Sequence, residues 1–267
     1  MCHVGVPQTP ANLERVAFEV CEDLHRHSNV TYAEIRYCPS LHRQGGMTDD
    51  EIIDAVFRGL VRAEDTYPGC HFSQLVTILR DFGATEAMVM ARLACEHGKI
   101  KKVVGVDLAG NEIAHPPEEF VEAFGYVHSH PSGLGITIHA GEGDTAVAER
   151  NIWTAVDKLH ATRIGHGVAA RRSSTLQADL QARNIPIEIC PTSNVHTGAI
   201  ADIAQHPILA FLQAGMCVVP CCDNALLSRT NTREEYQRLA THCQLSESEL
   251  LNIAREAHSF GFATRMS

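Results

Sequence analysis

Apolar residues along the chain alternate between helical and strand-like spacing. Positions 13–24 repeat apolar residues at helical intervals, and Tyr32 to Cys38 then has the pattern of a strand. Thr48 and Glu51 have the spacing of a capping box at the start of the next amphipathic segment, and Phe72 to Leu79 follows as a second strand. The pattern therefore predicts helices and strands in regular alternation.

Five more strand-like segments continue this alternation. They are Val103 to Leu108, Ile136 to His139, Arg163 to His166, Ile185 to Cys190 and Cys217 to Cys222. Segments of helical spacing separate them, and only helices are predicted after Asn224. Strands that alternate with helices predict right-handed βαβ units and a parallel sheet. Since the spacing is regular and the composition does not shift, we expect residues 1–267 to form a single domain.

Polar residues interrupt the apolar pattern mainly where strands end on their carboxyl side. They are Asp107, His139, Glu142, His166, Ser193, Asn194, Asp223 and Asn224. In a β/α barrel that edge holds the active site. An open doubly wound sheet also binds ligands there, but it usually has a glycine-rich phosphate loop after its first strand, and this chain has none. We therefore predict a barrel.

Composition narrows the classes of partner. The chain has 267 residues, 45% hydrophobic, with a formal net charge of −10 and no block of lysine and arginine, which disfavours nucleic acid. No apolar run approaches the roughly 20 residues of a membrane helix, and the first residues do not resemble a signal peptide. We expect a cytoplasmic protein without a membrane partner. Its ten cysteines are scattered and contain no CxxC pair, so we expect reduced thiols.

The strand ends offer the groups of a metal-assisted hydrolase. Zinc accepts neutral imidazole nitrogen and carboxylate oxygen, and in a hydrolase it keeps a position for water, whose pKa falls toward about 7. His139 and Asp223 are candidate ligands. Glu142 follows His139 by one short turn and is a candidate proton carrier, while His166 could orient the water. Each signal is weak alone, but together they predict an active site.

These motifs occur in an order that resembles the adenosine deaminase family, from about Asn12 to Phe262. The matching segments look like the family's second, fourth, fifth, sixth, seventh and eighth strands: Tyr32-Ala33-Glu34-Ile35-Arg36-Tyr37, Asp107-Leu108-Ala109-Gly110-Asn111-Glu112, His139-Ala140-Gly141-Glu142, Arg163-Ile164-Gly165-His166-Gly167, Glu188-Ile189-Cys190-Pro191-Thr192-Ser193-Asn194 and Asp223-Asn224. The resemblance implies an α/β fold of the TIM-type (β/α)8 class. It also implies zinc-dependent hydrolytic deamination of adenosine, with deoxyadenosine as a further substrate, to inosine and ammonia.

The same resemblance assigns roles to particular residues. His139 and Asp223 would ligate zinc, and Glu142 would protonate the purine ring nitrogen beside the attacked carbon. His166 would orient the attacking hydroxide. Gly110, which lacks a side chain, would hydrogen-bond the ring through its main chain, although a simple strand-to-loop turn also explains a glycine there.

The segment Asp223-Asn224-Ala225 departs from the family, which has two aspartates followed by proline here. The Asn224 amide can still donate a hydrogen bond to a purine nitrogen, but it lacks the charge of a carboxylate. We expect a small-molecule purine nucleoside as substrate. Adenine or an adenine nucleotide remains an alternative.

A second departure concerns the family's first strand, whose His-x-His pair supplies two further zinc ligands. His25-Arg26-His27 is predicted at a helix end, where side chains two positions apart diverge by about 200°. His128-Ser129-His130 is predicted at the opposite face of the barrel. Cys2 and His3 could reach the site from a flexible terminus. We therefore expect an N-terminally incomplete barrel that lacks its first strand, and a non-catalytic homologue is the alternative.

Overall fold

The computed structural model describes residues 7–263, and a single sheet of seven parallel strands lies at their centre. The strands are β1 (Tyr32–Tyr37), β2 (His71–Leu79), β3 (Val103–Ala109), β4 (Gly135–Ala140), β5 (Arg163–His166), β6 (Ile187–Ile189) and β7 (Val218–Pro220). They pair in sequence order from β1 to β7. All seven predicted strands are present, although β6 and β7 are shorter than predicted.

Helices connect the strands and cover the outside of the sheet. They are α1 (Pro10–Ser28), α2 (Asp49–Thr66), α3 (Gly83–His97), α4 (Val121–Ser129), α5 (Ala146–Asp157), α6 (Ser174–Ala182), α7 (Pro191–His196), α8 (Ile208–Gln213), α9 (Ala225–Ser228), α10 (Thr232–His242) and α11 (Glu247–Ser259). Short 3₁₀ helices occupy Pro39–Gly45, Arg80–Phe82, Gly98–Lys101, Pro117–Phe120, Val168–Arg172 and Ile203–Gln205. The predicted alternation of helix and strand is confirmed.

Local sequence signals explain where several helices begin. The Thr48 amide donates to the Glu51 carboxylate at 2.8 Å, and the Glu51 amide donates to the Thr48 hydroxyl at 3.3 Å, which completes the predicted capping box of α2. Ser246 and Glu249 form the same reciprocal pair at α11. These side chains satisfy backbone amides that a helix start leaves without partners.

The sheet is curled, and side chains from strands that are not neighbours therefore meet inside it. Arg36 on β1 contacts Glu188 on β6 at 2.7 Å, and Arg163 on β5 contacts Glu34 on β1 at 2.7 Å. Within residues 7–263 no pairing joins β7 to β1. The architecture is therefore a TIM-type barrel that lacks one strand, as predicted.

The amino end of the barrel is filled by the segment after α11. The Phe262 ring lies 3.6 Å from the Arg163 guanidinium, close to the glycines where β3 and β4 begin. A Cβ atom at Gly105 or Gly135 would come within 2.8 Å of that ring, so both positions need glycine. A ligand site inside the barrel must therefore open at the carboxyl end of the strands.

The nine cysteines of the described region are all free thiols. None of the helices in residues 7–263 is both long enough and apolar enough to cross a membrane.

Candidate active site

His139 lies at the carboxyl end of β4, and a hydrogen bond to a neighbouring strand fixes the orientation of its ring. Its Nδ1 atom is 2.8 Å from an oxygen of Asp107, a residue of β3 that is completely buried. Arg36 approaches the same carboxylate at 3.6 Å. Because Asp107 accepts the Nδ1 proton, Nε2 is the ring nitrogen of His139 that remains for a metal.

The charges around this pair favour an ionised Asp107. Burial alone would raise the pKa of Asp107, but the His139 ring and the Arg36 guanidinium outweigh it and lower the pKa. Burial also opposes protonation of His139, yet the Asp107 carboxylate raises the pKa of that imidazole. A buried carboxylate therefore orients His139 and makes it a stronger electron donor.

His139, His166 and Asp223 form one group. Their candidate ligand atoms all lie within 4.8 Å of one another, and the two imidazole centroids are 5.1 Å apart. The imidazole nitrogen of His139 and the carboxylate oxygen of Asp223 are donor types that zinc prefers in hydrolases, and the His166 ring lies beside them. The residues present therefore fit a zinc ion, and the structure brings together the three strand ends that the sequence analysis selected.

His166 is buried where β5 ends, and its backbone has a φ of +62°. The amide nitrogen of Asn194, on α7, is 3.1 Å from its Nδ1 atom. In this orientation Asn194 donates to Nδ1, so the proton of His166 lies on Nε2. Burial and the neighbouring His139 lower the pKa of His166, which keeps its imidazole neutral at neutral pH.

Asp223 follows β7 and is exposed. Its backbone is in the left-handed region with a φ of +54°, and the Ser193 hydroxyl donates to its carboxylate at 2.6 Å. Asn224 is the N-cap of α9, because its side-chain oxygen accepts from the Leu227 amide at 3.2 Å. The Asn224 oxygen is thus engaged in capping, and its NH2 group is the part that can meet a ligand.

Glu142 lies in the loop between β4 and α5. Gly141 precedes it with a φ of +70°, and a Cβ atom there would come 2.4 Å from the Ile152 side chain, so this turn requires glycine. The amides of Gly141 and Glu142 both donate to the Glu112 carboxylate, at 2.9 and 3.1 Å. The loop that presents Glu142 is therefore held through its backbone.

Gly110 follows β3 and is exposed, with a φ of +106°. A Cβ atom at this position would come 2.5 Å from a carboxylate oxygen of Asp81. The turn itself therefore explains the glycine. Main-chain contact between Gly110 and a purine stays a prediction.

The two His-x-His triplets of the described region lie away from this site. His25 contacts the Val30 carbonyl and the Cys70 thiol, each at 3.3 Å, near the amino end of β1. His128 stacks on His160 with ring centroids 3.9 Å apart, at the end of α4 that leads into β4. Neither triplet joins His139 and Asp223, as predicted. Cys2 and His3 lie outside the described residues.

Sequence reasoning assigned no role to several residues that support the site. They are Arg80, Asp107, Glu112, Ser193 and Asn194. Asp107 had a usable signal, since it is an acid within an otherwise apolar strand, and such a residue is buried only with partners. Arg80 and Glu112 lie in a turn and a loop, and Ser193 and Asn194 lie on the short helix α7, where motif spacing says little about contacts.

Comparisons with known proteins agree with the fold and show the family. The family model for adenosine deaminase matches residues 1–265. An adenosine deaminase of Clostridium botulinum is 33% identical over 260 residues, which cover 97% of this chain and 76% of the relative. An adenosine deaminase of Vibrio vulnificus is 35% identical over 248 residues, which cover 93% of this chain and 72% of the relative.

Solved structures extend the comparison to other purine deaminases. An adenine deaminase from Arthrobacter aurescens superposes with a TM-score of 0.86 at 25% identity, covering 96% of this chain and 75% of that one. The N6-methyl-AMP deaminase of Arabidopsis thaliana gives 0.82 at 29% identity, with coverages of 95% and 74%. A zinc-bound amidohydrolase from Burkholderia ambifaria gives 0.87 at 25% identity, with coverages of 96% and 70%.

Proposed function

Because the chain belongs to the adenosine deaminase family, we propose that it is a zinc-dependent purine deaminase that converts adenosine to inosine and ammonia. The observation that supports this most strongly is the group of His139, His166 and Asp223, with Glu142 in the loop after the first of them. The names of the relatives support adenosine as substrate, and the family resemblance adds deoxyadenosine as a second one.

Zinc would be held by His139 Nε2 and the Asp223 carboxylate. When bound, it would lower the pKa of a water molecule toward about 7 and so make a nucleophile at neutral pH. The family resemblance implies two further ligands from a His-x-His pair, and within residues 7–263 the group around His139 and Asp223 contains only His166 besides them.

Two residues of the chain, His166 and Glu142, would then act as the hydrogen-bond donor and the proton donor of the reaction. Because the proton of His166 lies on Nε2, this ring can donate a hydrogen bond that holds the attacking oxygen. The Glu142 carboxyl group would give its proton to the purine ring nitrogen beside the attacked carbon. The attacking water supplies both protons: the first restores the one that Glu142 gives to the ring nitrogen, and the second passes to the amino group. The carbon–nitrogen bond then breaks, ammonia leaves, and the product keeps the oxygen of the water.

Asn224 and Gly110 would contact the base. The Asn224 oxygen caps α9, so its NH2 group is oriented to donate to a ring nitrogen of the purine. An ionised aspartate at this position could only accept. The structural similarity to an adenine deaminase and to an N6-methyl-AMP deaminase favours a second candidate function, deamination of adenine or an adenine nucleotide.

The test is ammonia release by the purified chain after loading with zinc, using adenosine, deoxyadenosine, adenine, AMP and N6-methyl-AMP in parallel. We expect the highest kcat/KM for adenosine, with inosine and ammonia formed in equal amounts. A higher value for adenine or a nucleotide would correct the substrate and keep the chemistry. Cooperative folding without stoichiometric zinc would instead support a non-catalytic homologue.

A further inference from the structure

Arg80 and Glu112 are buried, have opposite charges and form hydrogen bonds to the backbone on either side of the turn between His139 and Glu142. Glu112 comes from the loop after β3, and Arg80 comes from the turn after β2. We propose that Arg80 and Glu112 are positioning residues, which fix this turn so that the candidate zinc ligand and the candidate proton carrier keep one relative placement. The proposal deepens the proposed function and rests on it for the roles of His139 and Glu142.

Glu112 uses both carboxylate oxygens on consecutive amides. Its Oε2 atom accepts from the Gly141 amide at 2.9 Å, and its Oε1 atom accepts from the Glu142 amide at 3.1 Å. The side-chain amide of Asn151, on α5, approaches Oε2 at 3.4 Å. Only 9% of Glu112 is exposed, so water cannot easily replace these partners.

Arg80 holds the other side of the turn. It is completely buried, and its Nη2 atom donates to the His139 carbonyl at 2.8 Å. Its Nη1 atom donates to the His115 carbonyl at 2.9 Å, and that carbonyl belongs to the same loop as Glu112. One guanidinium therefore joins the loop after β3 to the end of β4, and its planar geometry fixes the two carbonyls relative to each other.

The destination of these hydrogen bonds distinguishes a positioning role from ordinary core stabilisation. Burying an arginine and a glutamate is costly, and such groups are usually retained in direct ion pairs. Here Glu112 accepts from the amides of Gly141 and Glu142, and Arg80 donates to the carbonyls of His139 and His115. Hydrogen bonds to charged groups are stronger than neutral ones, so this turn is restrained more firmly than a loop held by backbone contacts alone.

A fixed turn matters because the two functional side chains leave it in different directions. His139 must present Nε2 toward Asp223, while Glu142 must reach a substrate atom. A displacement of about 1 Å in such an arrangement can cost about 100-fold in rate. The hydrogen bonds of Arg80 and Glu112 thus fix the candidate zinc ligand and the candidate proton carrier relative to each other.

The decisive variant is Glu112→Gln, which keeps the shape but replaces one acceptor oxygen by an NH2 group that faces a backbone amide. By NMR on the full chain, we expect amide hydrogen exchange at Gly141 and Glu142 to become at least about tenfold faster. In the zinc-loaded protein we expect kcat to fall about 10- to 100-fold while KM changes little, because the substrate contacts remain.

The matched control is Glu64→Gln. The Glu64 carboxylate on α2 also accepts from a backbone amide, that of Phe72 at 2.8 Å, but at the amino end of the barrel. Exchange at Gly141 and Glu142, and kcat, should both stay at wild-type values in this control.

Arg80→Lys provides a second variant if Glu112→Gln does not fold. Lysine keeps the charge but cannot donate to both carbonyls in the arginine geometry, so we expect faster exchange at Gly141 and Glu142 and a kcat lower by up to about tenfold. Wild-type exchange at these two amides would overturn the proposal, as would an increase spread evenly over the sheet. If amide hydrogen exchange rises at Gly141 and Glu142 in the variants but the wild-type chain deaminates no purine, the positioning role is supported and the proposed function is wrong.

Discussion

The two sides of the candidate zinc site are built differently. On the β4 side, His139 is fixed through its ring by the buried Asp107 and through its carbonyl by the buried Arg80. On the β7 side, Asp223 is exposed, has a left-handed backbone and is held by a hydrogen bond from Ser193. The orientation of His139 is therefore fixed by buried neighbours, whereas the exposed Asp223 is held by a single side-chain hydrogen bond.

The position of each strand in the sheet explains this difference. β4 pairs with a strand on both sides, whereas β7 has a partner on one side within residues 7–263. β1, at the other edge, is half-buried along its whole length, while seven residues of β2 in succession are buried. Edge strands lose both hydrogen bonds and packing. His139 thus follows a strand that is paired on both sides, and Asp223 follows one that is paired on one side within residues 7–263.

The largest effect is expected from Glu142→Gln, on the firmly held side. Losing a proton donor should lower kcat about 10²- to 10⁴-fold, while zinc content measured by atomic absorption stays the same. Glu122→Gln, at an exposed position of α4, is the control and should leave kcat unchanged. A kcat within twofold of wild type in Glu142→Gln would remove Glu142 from the mechanism.

The two sides can be compared directly by removing one supporting group from each. Asp107→Asn should weaken zinc binding about 10- to 100-fold, since it disturbs a buried hydrogen bond to His139. Ser193→Ala should weaken it less, because water can replace the hydroxyl at the exposed Asp223. Competition titration with a fluorescent zinc chelator gives both values. The comparison fails if Ser193→Ala has the larger effect.

The buried charges inside the barrel predict loss of stability in acid. Burial would raise the pKa of Glu188, but Arg36 and Arg163 outweigh it and lower the pKa to about 2. Since the folded pKa lies below the unfolded value, this carboxylate stabilises the protein above about pH 4.5, and the contribution disappears as pH falls toward 2. The loss should be about 3 kcal/mol in urea unfolding. An equally steep loss in Glu188→Gln would contradict this assignment.

The smallest effect is expected on the β7 side. Asn224→Asp keeps an N-cap for α9, so the free energy of unfolding should change by less than about 0.5 kcal/mol. Asn224→Ala removes the cap and should cost no more than about 1 kcal/mol. Urea titrations of both variants provide the measurement. A cost above about 2 kcal/mol would mean that this side is as firmly built as the other.

The sequence was a good guide to the strands and a poorer one to their lengths. β5 was predicted to the residue: its ladder with β4 runs from Arg163 to His166, where the backbone enters the left-handed region. β6 and β7 were predicted too long, since apolar residues continue beyond the paired segment. Pro220, the last residue of β7, has no N–H group to continue the ladder.

The site could be predicted only as far as its groups follow strand ends. Periodicity placed His139, His166 and Asp223 at one edge, and the structure brings them within reach of one another. Asp107, Ser193 and Asn194 were placed at the same edge, but the contacts that Arg80 and Glu112 make were not predictable in this way. Arg80 and Glu112 bind main-chain atoms of another loop, and no residue type or spacing in the sequence specifies such a backbone partner.

Zinc-dependent ammonia release from adenosine tests the central claim most directly. The zinc-loaded chain is expected to form ammonia and inosine in equal amounts, to lose this activity when a chelator removes the metal, and to regain it when zinc is restored. If the chain binds one equivalent of zinc and forms no ammonia from adenosine, adenine or an adenine nucleotide, the assignment of deaminase chemistry to this site is contradicted.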